Sequence, residues 1–263
     1  MNEARGTQRG GGEGGGFEIA DFRFKDRICD CGLKEPRPMR MVAIETSGPA
    51  GGIALADDGR LVEEVRLAWG PHQGEDLVAA VRDAFRRAGW GPKDVGVVAV
   101  SIGPGSFTGL RTAVVFAKMV AHETHARIVA VPTLRALAEN APAGAVRVAA
   151  VLDAKRGGLF ASIFERKGDD LHETFGPALI EPEALAARLQ APALVLGRGI
   201  VKGRAALKGF DLAPEALWDP RAEAVAHLGW AMAKRGEWAD VLGLAPVYIR
   251  PPEAEELWER RGR

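Results

Sequence analysis

The 263-residue chain has little cysteine, no excess charge of either sign and no apolar run long enough to cross a membrane. Each shortage removes a class of protein. Cys29 and Cys31 are its two cysteines; one residue apart, they cannot staple a domain and supply only half of a zinc site. Lysine plus arginine and aspartate plus glutamate both number 35. No global basic field therefore draws in nucleic acid or an anionic membrane, and any nucleic-acid role must be local or borrowed from a partner. Without long apolar runs or an apolar leader after Met1, the chain is expected to be soluble and cytoplasmic. What is present, a 47% hydrophobic composition, suffices for a substantial core in one large domain or two ordinary ones.

Residues 1–40 stand apart. Seven of the first sixteen are glycine, no period of two or of 3.6 persists, and eight basic residues nearly cancel seven acidic ones. That composition predicts a disordered extension without a nucleic-acid-binding field. Met39 and Met41 directly precede the first strand-like run, so translation could begin there and the extension need not be native.

From Met41 the pattern is regular. Strands are predicted over 41–45, 52–56 and 61–69, the last two joined by the polar turn Asp57-Asp58-Gly59-Arg60. Leu77, Val78, Val81, Ala84, Phe85 and Ala88 recur at helical spacing, and Gly89 ends that helix. The uninterrupted apolar run 95–102 predicts a strand covered on both faces. A helix over about 110–122, a strand over 127–131 and a short helix after Pro132 follow.

The order then starts again. Strand 148–153 ends in an acid as 42–45 does, and Gly157-Gly158 precedes strand 159–164 as Gly51-Gly52 precedes 53–55. Lys167-Gly168-Asp169-Asp170 supplies a second polar turn, and a helix over 182–189, a strand over 194–196 and a helix over 221–234 complete the second half. A repeat of about 105 residues is too long for a solenoid. It predicts an internal duplication into two similar α/β domains, 41–140 and 141–252, with a cleft between them and a tail or helix over 253–263.

The densest motif is Gly103-Pro104-Gly105-Ser106-Phe107-Thr108-Gly109-Leu110-Arg111, between a buried strand and a helix. Three glycines and a proline allow a sharp turn with close backbone approach, and Ser106 or Thr108 can cap the helix. Such a helix start suits an anion, or serves as a structural turn alone. No Lys-Ser/Thr pair follows and the glycine spacing is not that of a dinucleotide fingerprint, so it is neither a Walker nor a Rossmann loop.

Together with the opening strand and Glu45-Thr46-Ser47, His72 before the first helix, Asp153 in the second half and the ending Pro246-Val247-Tyr248-Ile249-Arg250, this motif makes residues 41–252 resemble the TsaB (YeaZ) family. The resemblance implies an actin/Hsp70-type (ASKHA) fold of two RNase-H-like domains. It also implies a non-catalytic subunit of the bacterial machinery that makes threonylcarbamoyladenosine (t6A) in transfer RNA. Such a subunit pairs with TsaD and with the ATPase TsaE. It supports TsaD as the threonylcarbamoyl group moves from threonylcarbamoyl-AMP to the adenosine beside the anticodon. The chain is then expected to be a homodimer when alone, to meet tRNA only through the complex, and to hold no catalytic residue, cofactor or metal of its own. ATP or ADP and magnesium belong, on this view, at the interface with TsaD.

The family uses the two helices of its first domain both for self-association and for binding TsaD. That places the rows Ala80, Ala84, Ala88 and Ala113, Ala117, Ala121, at four-residue spacing, at the interface, where small side chains let a neighbouring helix approach closely. Alanine raising helix propensity on a solvated face is the alternative.

The catalytic relative TsaD holds its metal with two histidines four residues apart, just after the strand that follows the glycine-rich loop. Here Thr133 and Leu137 stand in those places, and neither replaces an imidazole as a transition-metal ligand. Glu45-Thr46-Ser47 echoes the opening of TsaD more than the aspartate usual in TsaB. Glu45 and Asp153 resemble the paired strand-end acids that hold magnesium in active members of this fold, but two acids make a weak, water-rich site at best. His122 and His125 are three apart and fall at a helix end, where the dipole favours a cation. His72 has no nucleophile or acid partner that the sequence can assign. The alternative reading is an independent ASKHA-type enzyme, a kinase or ATPase or a TsaD-like metalloenzyme.

Overall fold

Two five-stranded mixed sheets are built one after the other along the chain. The computed structural model describes residues 39–68 and 73–250. Residues 1–38, His72 and the tail 253–263 lie outside the described residues, Cys29 and Cys31 with them.

The first sheet joins β1 (Arg40–Glu45), β2 (Ala50–Asp57), β3 (Arg60–Ala68), β4 (Val95–Ser101) and β5 (Arg127–Val131) in the order β3-β2-β1-β4-β5. The three-strand meander is antiparallel, and β4 and β5 run parallel to β1. Two helices link its strands: α1 (Gln73–Ala88) leads into β4, and α2 (Phe107–Thr124) connects β4 to β5. After α3 (Thr133–Ala138) the second sheet follows, from β6 (Arg147–Asp153), β7 (Leu159–Lys167), β8 (Asp170–Ile180), β9 (Leu194–Leu196) and β10 (Asp211–Leu212). Its order β8-β7-β6-β9-β10 repeats that of the first sheet, with the same antiparallel and parallel senses. Helices α4 (Pro182–Arg188), α5 (Ile200–Gly203) and α6 (Ala222–Lys234) complete the described elements.

Arg40 belongs to β1 rather than to an extension: its guanidinium lies 3.4 Å from Asp57 and from Asp94 and 5.1 Å from the Trp90 ring. The long strand β8 pairs with β7 beyond the second polar turn. It escaped the sequence because most of its residues are exposed, so no buried face imposes a period.

The apolar runs are continuous because both faces of each sheet are covered. In β1, Val42 and Ile44 pack toward α1 and α2, while Met41 and Ala43 pack toward α6. In β6, Ala149 and Val151 face Leu185 of α4 and Ile200 of α5, while Val148, Ala150 and Leu152 face Leu134 and Leu137 of α3.

Here the structure corrects the expected assignment of helices. Helix α6, expected to complete the second half, lies across the first sheet. Helix α3, which ends the first half in sequence, packs mainly on β6 and β7 of the second sheet and also touches α6. Each sheet thus borrows a helix from the other half, and the described residues form one compact unit. The exchange is anchored at Glu64 of β3, whose carboxylate accepts bonds from the Arg221 guanidinium at 2.6 Å and from the Glu223 amide at 3.0 Å at the start of α6. An acid there satisfies a free amide of the helix N-terminus and meets its positive pole.

Candidate functional site

The site is assembled around the end of β1, where the chain leaves the first sheet and meets the glycine-rich loop. Thr46 and Ser47 follow the strand and are buried. The Thr46 hydroxyl donates to the Gly109 carbonyl at 2.8 Å, and the Ser47 carbonyl accepts from the Ser106 amide at 2.6 Å. Ser106 is the N-cap of α2, its hydroxyl accepting from the Gly109 amide at 3.3 Å.

Glycine is required where this loop touches its neighbours. A Cβ at Gly109 would lie 2.0 Å from the Thr46 carbonyl oxygen, and Gly103, at φ +117°, would drive one to 2.6 Å from the Val247 carbonyl oxygen. The backbone of Gly103 is held from both sides: its amide donates to the Thr133 hydroxyl at 3.1 Å and its carbonyl accepts from the Thr133 amide at 3.0 Å.

Glu45 is fully buried at the centre of this knot. Its Oε1 accepts from the Ser47 amide at 2.5 Å, and the buried hydroxyls of Ser47 and Ser101 lie beside the carboxylate. Burial pushes the Glu45 carboxyl from 4.5 up to about 7; Ser47 and Ser101 pull it down, and the charge of Asp219 adds to the rise. The acid is thus about half neutral near pH 7. The groups that act on its titration are Ser47, Ser101 and Asp219, so the cluster can hold a proton.

Asp153, the other strand-end acid, is engaged elsewhere. It accepts from the Lys155 amide at 2.7 Å, and the ammonium groups of Lys202 and Lys155 lie 3.2 and 3.5 Å away. Burial alone would raise its carboxyl, but these donors and charges outweigh it and hold it below the ordinary carboxylate range. Asp153 is thus spent on two lysines rather than turned to Glu45. Among the described residues no three His, Cys, Asp or Glu side chains gather as ligands. His125 is a left-handed helix cap at φ 59°, with His122 exposed in the preceding turn.

Thr133 and Leu137 are both fully buried. The threonine hydroxyl is committed to Gly103, and the leucine packs among Val148, Leu152 and Phe164.

Asp219 is the residue that sequence reasoning missed. It accepts two bonds from Arg198, at 2.5 and 2.7 Å, while Asn140 donates to its main-chain carbonyl at 2.7 Å. It lies near Gly48 and Glu45, so a loop of the second half closes over the exit of β1. A lone acid before a proline has neither a period nor a motif to mark it.

The rest of the loop faces out. Phe107 and Tyr248 are about one-third exposed with ring centroids 5.0 Å apart. Arg111 lies 3.8 Å over the Phe107 ring and donates to the Tyr248 hydroxyl at 3.0 Å. The segment carrying Tyr248 is a strap along α2: Lys118 donates to the Leu242 carbonyl, Val247 to Ile102, and Arg250 to the Ala154 carbonyl in the second half.

The alanine rows do not form an outward face. Ala113 and Ala117 are 0% exposed, Ala84 and Ala121 are buried beside them in the core under the first sheet, and Ala80 and Ala88 are half-buried. The two helices turn these alanines inward together with Leu77, Val81, Phe85, Val114 and Phe116, which fill the core on that side of the sheet. Outward stand Val78, Val115 and Met119, at 50%, 66% and 51% exposure.

The family model of TsaD, tRNA N6-adenosine threonylcarbamoyltransferase, matches residues 70–232. The chain is 29% identical over 229 residues to the tRNA threonylcarbamoyladenosine biosynthesis protein TsaB of Bacillus subtilis (strain 168), covering 84% of this chain and 98% of that one. It is 29% identical over 223 residues to the protein of the same name from Escherichia coli (strain K12), covering 81% and 95%. Among solved structures, YeaZ from Pseudomonas aeruginosa superposes with a TM-score of 0.71 at 26% identity, covering 80% of this chain and 99% of that one.

Proposed function

Because this chain belongs to the family of the tRNA N6-adenosine threonylcarbamoyltransferase TsaD and resembles TsaB over nearly the whole length of those relatives, we propose that it is the non-catalytic subunit of the t6A machinery. In that role it pairs with TsaD and TsaE and holds TsaD competent for transfer to the adenosine beside the anticodon. The reading includes the finer description of the fold, an internal duplication of two RNase-H-like units of actin/Hsp70 type, which the repeated strand order supports. Nucleotide and magnesium, on this reading, belong to the interface with TsaD.

The observation that carries the non-catalytic reading is the burial of Thr133 and Leu137. The two places where TsaD-type metal chemistry needs imidazoles are spent on holding Gly103 and on packing α3 against β6. The partner surface is the outward side of α1 and α2, with Val78, Val115 and Met119 at its centre. The same face serves for a homodimer when the chain is alone.

The test is reconstitution. Purified TsaD and TsaE with this chain are expected to form t6A on unmodified tRNA, measured by nucleoside mass spectrometry, and to lose it when the chain is omitted. Met119→Arg is expected to remove co-purification with TsaD from a still-folded chain, since a charge would be buried unpaired at the contact. Ala117→Arg is not a valid probe, because Ala117 lies inside the core. Full t6A formation without the chain, or ATP turnover by the chain alone that Glu45→Ala abolishes, would overturn the reading.

A further inference from the structure

We propose that Phe107, Arg111 and Tyr248, joined by the strap to the turn where Lys155 and Lys202 meet Asp153, form a direct contact for an unpaired segment of RNA, the aromatic rings taking a base and the ammonium groups its phosphates. The proposal deepens the reading above, which supplies RNA as the chemical class, and goes beyond it by giving this chain a contact of its own.

Three features carry it. First, the two rings are tilted by 31° at 5.0 Å and both remain partly open to solvent. The Arg111 guanidinium lies over the Phe107 face at 3.8 Å, 6.0 Å from the Tyr248 ring centre, and is fixed by the Tyr248 hydroxyl, with no carboxylate partner among the described residues. An arginine plane already ordered against aromatic rings stacks a base at little further entropic cost, and its charge favours a polyanion. Second, the strap joins this platform to a second cationic feature. Tyr248 touches Arg111, and two residues on Arg250 donates to the Ala154 carbonyl, next to Lys155. The Arg250 guanidinium carries the link from the strap to the turn that holds Lys155. Third, the charge there is in surplus. Lys155 and Lys202 share the single carboxylate of Asp153, and the same turn carries Arg156 and receives Arg250, with Glu181 as the further acid near it.

A protein partner laid over the platform is the competing occupant, since Val115 and Met119 continue the Phe107 and Arg111 row at four-residue spacing along α2. An aliphatic partner would gain from the valine and methionine but would leave Arg111 desolvated and unpaired, which favours RNA at the platform end.

The test uses the full-length chain, alone and reconstituted with TsaD, and a fluorescent 17-nucleotide stem-loop with a seven-nucleotide loop carrying 5-iodouridine. Ultraviolet crosslinks are expected on the peptides containing Phe107 or Tyr248. Arg111→Ala is expected to weaken binding at least about fivefold, as loss of a stacking partner does. The double variant Lys155→Ala, Lys202→Ala is expected to lower the slope of log K against log salt by about 1 to 2. Crosslinks confined to other peptides in both preparations, or unchanged affinity of Arg111→Ala, would overturn the RNA contact. So would Arg111→Ala losing co-purification with TsaD while RNA binding stays intact, because that assigns the platform to the protein partner. None of these results touches the t6A role itself, which stands or falls on the reconstitution above.

Discussion

Glu45 Oε1 accepts a 2.5 Å hydrogen bond from the amide of Ser47, and the carbonyl of that same Ser47 accepts a 2.6 Å bond from the amide of Ser106 at the head of α2. One buried acid is therefore two hydrogen bonds away from the N-cap of a central helix, and its protonation is linked to the stability of the whole loop.

The Glu45 carboxyl is raised by burial from 4.5 to about 7, so the folded chain binds a proton that the unfolded chain releases between those values. Its contribution is fully present below pH 4.5 and is lost as pH rises through 7, on the order of 3 kcal/mol in all. Glu45→Gln is expected to remove this pH dependence and to be the more stable form at pH 8. Denaturant midpoints of both chains at pH 5.5, 7 and 8 check it; parallel pH profiles would refute the assignment.

Gly109→Ala is expected to cost at least about 2 kcal/mol, because its Cβ would enter the Thr46 carbonyl oxygen and force the β1 exit away from α2. Gly144→Ala, with nothing within 4 Å of its Cβ, is expected to be within about 0.5 kcal/mol of the parent. Equal losses in thermal unfolding would show that the close approach carries no weight.

Glu64→Ala is expected to destabilise by about 2 kcal/mol, since it removes both the cap of α6 and the partner of Arg221. Burial alone would raise the Glu64 carboxyl, but Arg221 and the Glu223 amide overcome it and lower it, so its contribution is present above pH 4.5 and fades in acid. Hydrogen exchange should show α6 amides opening first in the variant. Uniform loosening would mean that the crossover is held elsewhere.

A chain beginning at Met41 is expected to be less stable than one beginning at Met39 by about 1 kcal/mol. The shorter chain loses the Arg40 contacts with Asp57, Asp94 and Trp90 and the bond from the Met39 amide to Asp58. Coincident melting curves would sink this.

The sequence by itself determined most of the elements and the motif that anchors the site. The runs 41–44, 97–100 and 148–152 are apolar at every position because each strand has two covered faces, and Gly103, Gly105 and Gly109 are written where the backbone passes closest to Thr46, Ser47 and Val247. Local geometry of that kind leaves a local signature. What only the tertiary structure decided is which element covers which face. Periodicity tells that Val225 and Leu228 are buried but not against what, so α6 was free to cross to the first sheet and α3 to the second. The alanine rows failed for the same reason: a methyl side chain fits a solvated face, a helix contact or a tight core equally well, and only the packing of α2 on β4 and β5 decided that Ala113 and Ala117 face inward. Asp219 came near Glu45 through the same crossing, a charge interaction across 174 positions of sequence that no local pattern could encode.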